Sequence, residues 1–189
     1  MMAASHLDHS IMELLLAKGA DAVAVDSTYY DGYNAIFHAV NSDKNRQDKP
    51  GGLHACVSLL QKYGASIDTQ DTKGASALMR AVEWYQDKHG VVSTLLDLGA
   101  SIDIVDKEGN TALTMSSSAE LTERLCVSGA NVNLETSRGT ALSLAEGDKR
   151  QVLLRHGALL VPSCSSGEVY TATRNSTGKK RKSGRKKRS

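Results

Sequence analysis

The chain has 189 residues, 40% of them hydrophobic but only 4% aromatic, with two prolines and 16 glycines. That is enough apolar material for one aliphatic core, and it suits helices punctuated by tight turns better than a multi-stranded sandwich. The formal net charge of +2 hides a division: residues 179–188 hold eight Lys/Arg and no acid, which leaves 15 basic against 21 acidic side chains elsewhere.

Cys56, Cys126 and Cys164 are odd in number and far apart, so no disulfide framework is readable. The longest N-terminal apolar run, from Ile11 to Ala17, is broken by Glu13, so neither a signal peptide nor a membrane span is readable. A soluble intracellular protein, cytoplasmic or nuclear, is expected.

A phrase recurs along the chain, a leucine followed four residues later by Gly-Ala: Leu15/Gly19-Ala20, Leu60/Gly64-Ala65, Leu95/Gly99-Ala100, Leu125/Gly129-Ala130 and Leu153/Gly157-Ala158. Before each of the first four glycines, an apolar stripe at helical spacing predicts a helix. It runs through Ile11-Met12, Cys56-Val57, Val91-Val92 and Leu121-Thr122, then the leucine. The glycine fits a C-terminal helix stop, where a left-handed backbone is cheap only without a Cβ.

Gly19 is followed by a long finger, 13 residues to Gly32, that carries Tyr29, Tyr30 and Tyr33. A helix is then expected from Ala35, followed by a polar loop from Asn41 to Gly52. The later units are shorter. Extended pieces such as Ala65-Ser66-Ile67-Asp68 and Ala100-Ser101-Ile102-Asp103 lead to Gly74, Gly109 and Gly139, each ten residues past a repeat glycine. Helices capped by Ser76, Thr111 and Thr140 are predicted to follow at once.

Turn, helix, turn, helix and loop, with these glycines, resemble ankyrin repeats. The resemblance covers residues 1–161 and implies an all-α solenoid of about four full or near-full repeats (26–69, 70–104, 105–134 and 135–161) after a partial one (1–25). The family's T-P-L-H proline is replaced by Ala35, Ala77, Ala112 and Ala141, and its histidine by Phe37, Met79, Thr114 and Ser143. Because that histidine ties neighbouring turns together in the family, weaker inter-repeat hydrogen bonding is expected here. Ala3-Ala4 fall where the paired small residues of a first helix belong, so the chain reads as a fragment, or an unusual start, of a longer ankyrin protein. Lys149-Arg150 replace the apolar stripe in the last unit, and a polar outer face is what a capping repeat needs.

The resemblance implies recognition of a protein partner by finger turns and first-helix positions. Those positions are Tyr29, Tyr30, Tyr33, Thr72, Lys73, Glu83, Trp84, Lys107, Glu108, Asn110 and Arg138. Tyr and Trp anchor interfaces well, but the tyrosines equally suit packing inside the long finger, and Trp84-Tyr85 suit bracing a longer inter-helix turn.

The tail, 162–189, has no hydrophobic period and is expected to be disordered. Its clusters Lys179-Lys180-Arg181-Lys182 and Arg185-Lys186-Lys187-Arg188 resemble nuclear-import signals. They equally suit contact with a polyanion, or a passive solubilising role. Phosphorylation of Ser183 between them would cut the local positive charge.

His6 and His9 form a close pair that reads as a solvated turn rather than a metal site. No phosphate loop, nucleophile elbow or zinc spacing is present. No catalytic residue, cofactor, metal or small-molecule substrate is expected, and the protein is read as a monomer. The function expected is a non-enzymatic scaffold or adaptor. The alternatives are a nuclear transcription or chromatin regulator, and a regulatory fragment of a larger ankyrin-containing enzyme or channel.

Overall fold

The computed structural model describes residues 2–6, 8–26, 32–42, 52–85 and 90–159, with the backbone alone at 42 and 85. Within them, ten helices form five pairs: α1 (Met2–Ser5) with α2 (His9–Ala17), α3 (Ala35–Ser42) with α4 (Gly52–Lys62), α5 (Ala77–Tyr85) with α6 (Val91–Asp97), α7 (Ala112–Met115) with α8 (Ala119–Val127), and α9 (Ala141–Leu144) with α10 (Gly147–Arg155). The first helices stack in the order α1, α3, α5, α7, α9, and the second helices pack beside them, α2 on α4, α4 on α6 and α8 on α10. One apolar core runs the length of this two-layer stack, from Ala4 to Ala158.

The fingers that precede the first helices are small hairpins. That of the second repeat pairs β1 (Val25–Asp26) with β2 (Tyr33–Asn34) antiparallel, and those of the third and fifth repeats are closed by single bridges, Gln70 to Ser76 and Thr136 to Gly139.

The Leu/Gly-Ala phrase has a direct backbone meaning. In each copy the alanine N–H donates back to the leucine carbonyl, at 3.0 Å in four copies and 2.9 Å in the last, and the glycine N–H donates to the carbonyl three residues before it. This is the Schellman closure of a helix, and it needs the left-handed backbone that Gly64 (φ +90°) and Gly99 (φ +86°) supply.

The leucine side chain then faces the core in four copies: Leu60, Leu95, Leu125 and Leu153 are at most 2% exposed. The first copy differs. Leu15 and Ile11 are 48% and 50% exposed, although Met12 and Leu16 on the same helix are buried.

α7 and α9 have four residues each, far too few to stand as isolated helices. Their ends are held instead. Thr111 and Thr114 form a reciprocal capping box, and the Thr140 hydroxyl accepts from the Ser143 N–H. At the other end the Lys149 ammonium donates to the carbonyls of Thr114 (3.1 Å) and Ser116 (2.7 Å), and Arg150 donates to the Leu142 carbonyl.

Lys149 and Arg150 are thus not simply an outward polar face, as their sequence position suggested. They are long enough to reach back and satisfy the final carbonyls of two short helices. Burial pulls the Lys149 ammonium below its ordinary pKa.

The missing motif histidine does not leave the stack without polar ties. Its places hold either core side chains, Phe37 and Met79, or hydroxyls that serve their own helix, Thr114 and Ser143. The ties run elsewhere, as a ladder of three rungs at one repeat position. The Asp68 carboxylate accepts from the Ser101 N–H (2.8 Å) and hydroxyl, Asp103 accepts from the Asn131 N–H (3.0 Å), and Asn133 accepts from the Leu159 N–H (2.7 Å). The same position in the first pair is Val23, which has no acceptor side chain and is exposed.

Candidate partner-docking groove

The fingers pack side by side, and glycine is what permits it. Gly74 has φ +80°, and a Cβ there would lie 3.0 Å from the Lys107 backbone nitrogen; one on Gly109, at φ +82°, would collide with the Ser137 hydroxyl. The close approach is hydrogen-bonded: the Lys107 N–H donates to the Lys73 carbonyl (3.0 Å), the Lys107 ammonium to the Thr72 carbonyl (2.8 Å), and the Thr136 hydroxyl to the Gly109 carbonyl (2.7 Å).

Between this row of fingers and the first helices lies a groove of about 470 Å³. The third repeat contributes Lys73, Arg80 and Glu83, the fourth Asp106, Glu108, Asn110, Thr114 and Met115, and the fifth Arg138 and Leu144.

Arg80 lines it and is held from behind by Asp71. Asp71 has a fully buried side chain. One oxygen accepts from the Lys73 and Ala75 N–H groups at 2.9 Å, which shapes the finger turn; the other accepts from Arg80 Nε (2.9 Å) and Nη2 (2.6 Å). Arg80 also donates from Nη1 to Glu83 at 2.8 Å. Burial alone would lower the guanidinium pKa, but the bonds to Asp71 and Glu83 outweigh it and the net shift is upward. The pair therefore fixes a finger to its helix through a charge-assisted fork.

The same acid–base register recurs one repeat earlier, where Asp26 lies 3.8 Å from His38. His38 stands six residues past Gly32, as Arg80 does past Gly74. Burial pushes the His38 imidazole below its ordinary pKa, and the Asp26 charge only partly opposes this.

The fourth finger uses its acid differently. Asp106 accepts from the Glu108 N–H (2.9 Å), the Asn110 N–H (2.7 Å) and the Asn110 amide (2.9 Å). Met115 occupies the place of Arg80, so Asp106 has no fork to accept. Asn110 in turn accepts from Arg138 Nη1 at 2.6 Å.

The sequence-predicted residues divide accordingly. Lys73, Glu83, Glu108, Asn110 and Arg138 line the groove. Asn110 is buried at 8% exposure, so it acts as a bridge between Asp106 and Arg138 and not as a free surface. Thr72 and Lys107 are exposed but bonded finger to finger.

Tyr33 is corrected: it is 7% exposed, with its ring stacked 4.8 Å from Phe37, so here the packing alternative holds. Trp84 is half-buried, 6.1 Å from the Tyr33 ring. Tyr29, Tyr30, the Tyr85 side chain, and the basic residues Lys179, Lys180, Arg181, Lys182, Arg185, Lys186, Lys187 and Arg188 lie outside the described residues. Cys56 is fully buried, as its place on the stripe required. Cys126 is half-buried, and desolvation raises its thiol pKa.

The sequence reading missed Asp71, Arg80, Asp106, Thr114, Met115 and Leu144. For Asp71 and Arg80 a signal was present as register, an acid three residues before Gly74 and a cation six after it. No group of His, Cys, Asp and Glu suited to a metal ion occurs among the described residues, and none of their helices is long and apolar enough to cross a membrane.

Residues 1–106 match the family described as Ankyrin repeats (3 copies), a stretch ending within the fourth finger. No curated protein matches the chain. The helix-pair pattern, with its Schellman closures and the Asn133 rung, continues past the matched stretch to residue 159. Ankyrin repeats generally mediate protein–protein interaction. The chain belongs to the ankyrin-repeat family.

Proposed function

We propose that the protein is a scaffold or adaptor that captures a protein partner in the groove formed by its third, fourth and fifth repeats. The observation that carries this reading is the convergence of side chains from three fingers and three first helices on one open volume of about 470 Å³. Its charged walls and its Met115 and Leu144 floor suit a polar segment with an apolar anchor better than a small apolar ligand.

The test is affinity capture with the full chain, with Glu108→Ala/Arg138→Ala, and with Asp97→Ala on an exposed second-helix position. A partner lost with the groove variant and kept with Asp97→Ala supports the reading. A partner kept by both, or lost from both, contradicts it.

A second reading rests on the sequence of the tail, where eight Lys/Arg within ten residues carry no acid among them. In this reading the tail delivers the captured partner to the nucleus or contacts a polyanion. A fluorescent fusion that loses nuclear enrichment when 179–188 are removed supports import, and an unchanged distribution rejects it.

A further inference from the structure

The charges on the fingers follow a rule that the docking reading does not by itself require. In the fingers of the third, fourth and fifth repeats the residue just before the finger glycine is Lys73 before Gly74, Glu108 before Gly109 and Arg138 before Gly139. Register therefore places these side chains at the same point on successive fingers, and their signs alternate.

Neighbouring fingers are in hydrogen-bond contact, so successive charges are one repeat apart. That spacing is set by the packing of neighbouring helices, about 8–10 Å. Glu108 and Arg138 do not neutralise each other, because Asn110 sits between them. Its amide lies 3.5 Å from Glu108 Oε2, and its carbonyl oxygen accepts from Arg138 at 2.6 Å. Neither residue has an ion-pair partner among the described residues. Asp106 adds a second carboxylate beside Glu108, and its bonds come only from neutral N–H donors.

We propose, on the reading that the groove takes a protein segment, that it selects one in a polyproline-II-like conformation. That segment carries a basic and an acidic side chain three residues apart, with an apolar side chain between them. In that conformation the chain rises about 3.1 Å per residue and repeats every three residues, so residues i and i+3 lie on one edge about 9 Å apart. This matches one finger spacing: the basic side chain meets Glu108 and Asp106, and the acidic one meets Arg138.

The three-fold symmetry turns the next edge of such a segment away from the finger wall and onto the helix floor. Met115 and Leu144 offer apolar surface there, Leu144 at 40% exposure. A flat β-strand fits less well, since it would send residues i and i+3 to opposite faces. A helix would need about six to seven residues to cover the same distance.

The test is an immobilised array of 12-residue synthetic peptides in a proline-rich background. Each carries one Lys and one Glu at separations of one to seven, in both orders, with Leu between where there is room, and is probed with the full-length chain. Binding is expected to peak at a separation of three in one order. Glu108→Gln or Arg138→Gln should weaken the best peptide about two- to fivefold, as for a partly exposed ion pair. The charge-swapped chain Glu108→Arg/Arg138→Glu should prefer the opposite order at the same separation, with its helical circular dichroism unchanged.

Binding that ignores separation and order but is abolished by Leu144→Arg overturns the charge rule and leaves the groove reading standing. A peak at seven overturns the extended conformation. Binding insensitive to both Leu144→Arg and the charge swap overturns the rule and the groove together. Absence of binding to every peptide overturns the proposed motif.

Discussion

The Asp71–Arg80 fork makes a sharp demand on stability. Asp71 is fully buried and Arg80 nearly so, with a side chain 10% exposed. Asp71→Asn keeps one oxygen for the Lys73 and Ala75 N–H groups but turns an amide donor towards the guanidinium, so two donors face each other. Leaving a buried charge without its partner costs about 3–5 kcal/mol. Glu83 still holds Nη1 at 2.8 Å and is 44% exposed, so part of the charge stays compensated and about 2–4 kcal/mol is the expected loss.

Arg80→Met removes the charge and leaves the Asp71 carboxylate with two turn N–H donors. The double substitution should therefore cost less than the sum of the singles, with a coupling of about 1–3 kcal/mol. Urea unfolding of the four proteins, read as shifts in midpoint at constant slope, measures this. A loss below about 0.5 kcal/mol for Asp71→Asn, or additive singles, would refute the assignment of the fork as the element fixing finger to helix.

Three more outcomes follow from particular residues. Leu125→Ala, at 0% exposure, should cost about 2–5 kcal/mol, and Leu15→Ala at the same repeat position but 48% exposed should cost under about 1 kcal/mol; equal losses in thermal or urea unfolding would contradict the register. The folded-state pKa of His38 is lowered, so below about pH 6.5 the unfolded chain takes up the proton first and stability falls as pH drops. His38→Gln should flatten the decline in melting temperature between pH 7.5 and 5.5, and an unchanged or steeper decline would count against burial of the imidazole. Asp103→Ala should speed exchange of the Asn131 amide, whose N–H it accepts at 3.0 Å, and cost about 0.5–1 kcal/mol; an unchanged exchange rate would remove that rung of the ladder.

The fold was legible because its signals are local. Each Leu/Gly-Ala phrase closes its own helix through an N–H returning to a carbonyl five residues back, and Ser76, Thr111 and Thr140 cap helices within three residues. The groove was legible in part, since Lys73, Glu108 and Arg138 announce themselves as finger residues by position.

What connects distant positions was hidden. Asp71 and Arg80 are nine residues apart on different elements, and Lys149 reaches carbonyls more than thirty residues away. Tyr33 was left open for a different reason: an aromatic ring in a finger serves as either an anchor or packing, and its burial against Phe37, four residues on, and Trp84, one repeat on, decides between them. The Asp68, Asp103 and Asn133 rungs that tie the repeats were hidden as well, since each joins positions more than twenty residues apart.

The most direct test of the groove is hydrogen-exchange mass spectrometry of the full chain, free and bound to a captured partner. Slowed exchange concentrated in the finger and first-helix segments 71–84, 106–116 and 136–145 is the predicted result. Protection confined to the second helices α4, α6, α8 and α10, with those segments unchanged, would contradict docking in the groove.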